Sequence, residues 1–508
     1  MRGEDGENRP RHFERGRKNM FEEKRCGRVR ISLEKPSDLI LDKGIGINWH
    51  HNWIHPDAPR DSAPDIDDQA HWDLLLRELD FLRPATIRFG YQSSHFVRPD
   101  GTFDWNAEGF EALRRLDAWA KQNVADIILD PWSIPDFWRF SRITGDPRHD
   151  AAAEPEKLAH EFVVPLLAHV VQEMGLSTVR SFILMNEPLM DPNGSFLTPD
   201  GLDRFAHYIA CHKAIFLALK TSGLDVALIG PNTWSTLYWA VDHFQDRGLD
   251  LTPWIDGYDQ HNYYARFDYL PPNPTTMPTM PMTNLIESQI ARNARFARMH
   301  GKKYYITELG TFYYGWSAGD PYGPATHEAF ITEAEFIIRS INAGCGGIHK
   351  WAFLAPGEYA DGCWQFINTV DGSYCRQPHT FYGYGALMRY SSADSTIWTP
   401  LVEQVVDPYA YVHAVGLALP DGSHTVFVVN DHNCQERVLA LSIPPEWNEG
   451  KWQKLLVDRT RKLCRRGVAF AQGQREDVLP PMSLTIYTNR QLEDDRLLSV
   501  DNGVQTKR

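Results

Sequence analysis

The chain has 508 residues, of which 23% are charged and 12% aromatic, and its formal net charge is -14. So acidic a surface repels a phosphate backbone, which sets nucleic acid and other polyanions aside as expected partners and favours a neutral ligand. Its apolar runs are short and interrupted by charge, and residues 1–25 mix both signs of charge without the apolar stretch of an export signal, so no membrane association and a cytoplasmic location are expected.

In chain order, residues 1–25 show no apolar periodicity and are expected to be a disordered extension. Residues 15–19 can be written in purine-rich codons resembling a ribosome-binding site directly before Met20, which makes Met20 the expected start. Residues 26–42 form a segment whose run 28–33 is strand-like and is expected to add an edge strand to a later sandwich.

From 43 to 392, apolar strand-like runs alternate with amphipathic stretches, the pattern of a parallel sheet covered by helices. Strands are predicted over 44–49, 85–90, 125–131, 181–187, 226–232, 255–263, 303–308 and 347–353. The helices that follow are predicted over 71–82, 108–122, 155–173, 202–221, 237–246, 285–300, 327–342 and 380–390. Gly175, Gly223, Gly301 and Gly344 stand where C-terminal caps belong. Eight repeats in order predict an α/β fold, a (β/α)8 TIM barrel. The rival, an open doubly wound sheet, lacks a Gly-x-Gly-x-x-Gly after the first strand.

Beyond 392 the runs shorten and Pro-Asp-Gly and Pro-Pro turns separate them, which predicts a C-terminal β-sandwich over 393–490 and a frayed polar tail over 491–508. A barrel with one smaller domain suits the length. The seven cysteines are odd in number and lack Cys-x-x-Cys spacing, so reduced, mostly structural thiols are expected.

Two short strings carry the chemistry. Ile183-Leu184-Met185-Asn186-Glu187-Pro188 and Tyr304-Tyr305-Ile306-Thr307-Glu308-Leu309-Gly310 each read as an apolar strand that delivers a glutamate at its carboxyl end, where a barrel builds its active site. Two such acids suffice for glycoside hydrolysis, one giving a proton to the leaving oxygen and the other attacking the sugar or activating water.

The Asn-Glu-Pro and Thr-Glu-Leu-Gly pair resembles clan A of the glycoside hydrolases, in which Asn-Glu ends the fourth barrel strand and the second Glu the seventh. Within the clan, a barrel plus sandwich with an N-terminal excursion looks most like families 30 and 39. The resemblance implies a retaining O-glycosyl hydrolase, with Glu187 as acid/base, Glu308 as nucleophile and no cofactor. It also implies that Arg88 bonds the nucleophile, that Asn186 donates to the sugar 2-hydroxyl, and that Tyr263 stands near the nucleophile and His261 near the acid. Trp132 and Trp351, at the ends of strands three and eight, would offer flat faces to the sugar ring. The anticipated substrates are short oligosaccharides or glycosides with β linkages. The long loops 265–283, 311–325 and 354–377 are expected to wall one end of the cleft and favour release of single sugars.

Strand one ends in Asn48-Trp49-His50-His51-Asn52-Trp53-Ile54-His55, a run that raises a metal-dependent hydrolase as an alternative. That chemistry needs His-x-His here and an acid on strand eight, where Lys350 and Trp351 stand instead. No metal is therefore expected, and His50 or His51 is assigned to a sugar hydroxyl. A non-catalytic sugar-binding barrel is the third reading, disfavoured by the presence of both acids.

Overall fold

The computed structural model describes residues 27–50, 68–91, 96–98, 100–131, 154–188, 203–233, 240–265, 284–312, 326–356, 365–370, 373–404 and 411–498. The 1–25 extension and the Met20 start lie outside them. Eight parallel strands close into a barrel: β1 (Gly44–His50), β2 (Thr86–Tyr91), β3 (Asp126–Pro131), β4 (Val179–Ile183), β5 (Ala227–Thr233), β6 (Gly257–Ala265), β7 (Lys303–Phe312) and β8 (Gly347–Lys350). Each pairs with its neighbour in sequence, and β8 returns to β1.

Alternation along the strands sorts the side chains. Ile45, Ile47 and Trp49, Ile87 and Phe89, and Ile127 and Leu129 pack outward into the main apolar core beneath the helices. On the other face Ile128, Ile183, Ile229 and Tyr305 form a separate small cluster that fills the lumen. Asp130 and Thr307 lie two residues beyond Ile128 and Tyr305, so a polar layer rests directly on an apolar floor. Gly46 makes room within the wall. A Cβ there would meet the Thr86 carbonyl oxygen at 2.4 Å and the His349 ring at 2.5 Å.

Three elements depart from the sequence reading. β4 stops at Ile183 rather than at 187, because the chain leaves the ladder and turns inward, with Glu187 in the left-handed region at φ 45°. β8 likewise ends at Lys350, before the cis Trp351–Ala352 peptide. The helix predicted over 155–173 is built from Pro155–Lys157, a π-turn at Leu158–Val163, Val164–Leu167 and a second π-turn at Ala168–Glu173. Pro165 sits in its middle, where a missing N–H and a bulky ring break the regular ladder.

The C-terminal part is a sandwich of two sheets. One has the order Leu401–Gln404, Arg28–Ser32, Arg437–Ser442, Gln474–Leu479. The segment Arg28–Ser32 therefore lies inside the sheet, antiparallel to one neighbour and parallel to the other, and not at its edge. A position at the edge would have left Val29 and Ile31, both fully buried, with one flank open. The second sheet has seven strands, from Ile40–Leu41 to Cys464–Val468. Val29, Ile31, Val426, Val428, Leu439 and Leu441 meet between the sheets, while Phe427, Val429, Leu484 and Ile486 on the opposite face join the barrel core.

The tail expected to fray after 491 is held. Glu493–Leu497 forms a 3-10 turn. Asp494 Oδ1 and Asp495 Oδ1 accept from Arg389 Nη2 at 2.7 and 3.2 Å, and Tyr390 Oη donates to Asp495 Oδ1 at 2.6 Å. A fully buried guanidinium needs counter-charges, and this segment supplies them. Residues 499–508 lie outside the described residues. Cys211, Cys345, Cys434 and Cys464 form no disulfide among the described residues. No described helix is long and apolar enough to cross a membrane.

Candidate active site

The carboxyl ends of β2, β4, β6 and β7 bring six of the sequence-selected residues into one hydrogen-bonded group. Arg88, on β2, is buried at its centre. One guanidinium nitrogen donates to Glu308 Oε1 and to Asn48 Oδ1, the latter at 2.9 Å. The other donates to Asp130 and, at 2.6 Å, to Asn186 Oδ1. With its oxygen held by Arg88, Asn186 has its NH2 to offer as a donor. Tyr263 donates its hydroxyl to Glu308 Oε2 at 2.8 Å. His261 Nδ1 stands 2.6 Å from Glu187 Oε1 and 3.2 Å from Glu308 Oε2, so one ring nitrogen faces both glutamates.

Backbone irregularity makes this convergence possible. Between β6 and β7 the register runs Gln260 with Ile306 and then His261 with Glu308, leaving Thr307 as an extra residue on β7. The same slip separates β7 from β8, where Ile348 pairs Ile306 and Lys350 pairs Leu309. Strict alternation would turn Thr307 and Glu308 to opposite faces; the bulge lets both reach the lumen. On β6 the alternation is intact. Asp259, His261 and Tyr263 make lumen contacts, while Gln260 accepts from Asn293 on the covering helix at 3.0 Å.

Burial sets the electrostatics. It pushes the Glu187 carboxyl up to about 7, with Arg88 pulling it the other way. Burial also pushes Asp130 up to about 7 against the pull of Arg88, and Glu308 and Asp259 add repulsion. His261 is pushed down to about 4 by burial, offset in part by Glu308, so the imidazole is neutral near pH 7. Its Nε2 is buried and makes no hydrogen bond among the described residues. A proton on Nδ1, shared between the two glutamates, leaves only an acceptor unpaired and is the better tautomer.

Of the other selected residues one is described with its side chain. Trp351 follows β8, almost wholly buried, and its backbone N–H donates to the Leu309 carbonyl at 2.9 Å. Trp132 and His51 lie outside the described residues, as does the side chain of His50, and so do most of the loops 265–283 and 311–325. Of the loop 354–377, residues 354–356 and 367–370 pair with each other and 373–376 extends them into a small sheet.

Asn48, Asp130, Asn232, Asp259 and Thr307 escaped the sequence reading. Each is a polar residue in or ending an apolar strand, as in Ile127-Ile128-Leu129-Asp130, and that interruption was the available signal.

Among the described residues, Glu187, His261 and Glu308 form the group that could hold a metal, their ligand atoms lying within 4.8 Å of one another. The surroundings do not suit a cation. Arg88 already occupies one oxygen of Glu308 and Tyr263 the other, so an ion would face a fixed positive charge and displace a donor.

Comparison with solved structures gives the same architecture. A family 30 endoxylanase from Clostridium papyrosolvens superposes with a TM-score of 0.60 at 14% identity, covering 91% of this chain and 100% of the other. The catalytic domain of family 30 xylanase C from Talaromyces cellulolyticus gives 0.62 at 13%, covering 91% and 100%. A family 51 α-L-arabinofuranosidase from Bifidobacterium longum gives 0.59 at 12%, covering 91% and 99%. The fold is the one these glycoside hydrolases share. At these identities the likeness is of fold alone. No protein-family profile matches the sequence, and no curated protein does.

Proposed function

We propose that the protein is a retaining glycoside hydrolase that cleaves O-glycosidic bonds by double displacement. The observation that carries this reading is the shared contact of Glu187 and Glu308 with His261 Nδ1, which brings oxygens of both carboxyls within 4.8 Å. Retaining enzymes hold their carboxyls about 5 to 5.5 Å apart and inverting ones about 6.5 to 9.5 Å, to admit a water. The spacing supports retention.

In the proposed cycle Glu187, protonated near neutrality, gives its proton to the leaving oxygen. Glu308, gripped by Arg88 and Tyr263, attacks the anomeric carbon to form a glycosyl-enzyme. Glu187, now ionised, then takes a proton from the water that releases the sugar. Asn186 donates to the 2-hydroxyl, and Trp351, with Trp132 and His50 or His51, is proposed to complete the sugar site. The anticipated substrates are short β-linked oligosaccharides or glycosides, whose sugar a screen with nitrophenyl glycosides would identify.

An activated 2-fluoro glycoside of that sugar tests the reading. Stoichiometric labelling of Glu308 supports it, while labelling elsewhere, or activity abolished by a chelator, contradicts it. With a β-linked hexasaccharide, early single sugars would support action at a chain end, and early di- and trisaccharides would oppose it.

A further inference from the structure

Glu187 is held in an unusual place. Its backbone lies in the left-handed region at φ 45°, directly before Pro188, where the chain has left the β4 ladder and no strand partner among the described residues fixes it. One contact does: the Glu187 N–H donates to Asn232 Oδ1 at 3.0 Å.

Asn232 is itself fixed on every side. It sits in a bulge of β5, where Gly230 pairs Tyr258 and Thr233 pairs Gln260, and its own φ is 53°. Its N–H donates to Asp259 Oδ1 and its side-chain NH2 to Asp259 Oδ2, both at 2.7 Å. Thr307 donates its hydroxyl to the same Asp259 oxygen at 2.7 Å and lies 3.3 Å from the Asn232 NH2. All three residues are buried. Because both amide hydrogens point at β6 and β7, the amide oxygen can only face the other way, at Glu187.

We propose that Asn232 is the positioning residue of the acid, with Asp259 and Thr307 orienting its amide so that its oxygen clamps the Glu187 backbone and aims the carboxyl at the leaving group. Thr307 immediately precedes Glu308, so the clamp also ties the setting of one glutamate to that of the other. The inference rests on the reading of Glu187 as the acid.

Asn232→Gly keeps a residue that accepts positive φ and deletes only the amide. The test uses dinitrophenyl, nitrophenyl and phenyl glycosides of the sugar selected by the nitrophenyl screen, with rates expressed per site labelled by the fluoro sugar. A misaimed acid should cost about 10- to 100-fold in kcat/KM, which reports formation of the glycosyl-enzyme, on the phenyl glycoside, and under about 3-fold on the dinitrophenyl one, which departs without a proton. Should the glycine variant not fold cooperatively, Asp259→Asn, which frees the Asn232 amide to turn, carries the same comparison. Equal loss on all three substrates overturns the clamp. Glu187→Ala run alongside separates the two claims: selective loss there with equal loss in Asn232→Gly rejects the clamp alone, and equal loss in Glu187→Ala rejects the acid assignment beneath it.

Discussion

His261 Nδ1 lies 2.6 Å from Glu187 Oε1, from a ring that is fully buried and neutral near pH 7. A single N–H thus separates the two glutamates and supports the ionised form of each. Removing it should leave the like charges facing one another without a donor, so the proton on Glu187 is held more tightly. His261→Ala is predicted to move the alkaline limb of the kcat/KM profile upward and to lower kcat by about 100-fold. A pH–rate profile of the variant checks both.

Burial raises Glu187 to about 7, which fixes the sign of the wild-type pH response. The proposed acid is protonated below that value and ionised above it, so activity on poor leaving groups should fall as pH rises through about 7. Glu187→Gln cannot titrate, and its residual activity should show no alkaline limb. Persistence of the limb would assign the proton to another group.

Arg88 serves Asn48, Glu308, Asp130 and Asn186 at once through two nitrogens. A lysine carries the charge without the fork, and methionine leaves two buried carboxyls without their cation. Arg88→Met is predicted to cost about 3–5 kcal/mol in denaturant unfolding, by the usual cost of breaking a buried ion pair. Arg88→Lys should be milder in stability and still reduce kcat by more than about 10-fold.

Arg389 gives a prediction away from the site. A chain ending at Gln491 loses Asp494 and Asp495, leaving that guanidinium buried without either carboxylate. The truncation should lower Tm and the denaturant midpoint, with a loss of about 3–5 kcal/mol in unfolding free energy on the same reasoning.

The barrel was legible because its strands announce themselves: Ile127 to Leu129 and Tyr304 to Ile306 are apolar runs that lead into acids, and the period changes sharply at each helix. Two classes of feature were not. The bulges at Asn232 and Thr307 add one residue to a strand, and no local pattern separates an extra residue from an ordinary one. The C-terminal turn reads as a polar tail because its partner, Arg389, is a hundred residues away in sequence and brings a buried charge that periodicity cannot reveal. Arg28–Ser32 was placed at a sheet edge for the same reason, since its second neighbour, Leu401–Gln404, is far along the chain.

The division of labour between Glu187 and Glu308 is tested most directly by azide rescue of two alanine variants on a dinitrophenyl glycoside. The account predicts that Glu187→Ala still forms the glycosyl-enzyme and, with azide, yields a glycosyl azide of retained configuration. Glu308→Ala should be inactive alone and yield the inverted azide, because the small anion takes the place of the missing carboxylate. Inverted product from Glu187→Ala, or no rescue of either variant, would contradict the account.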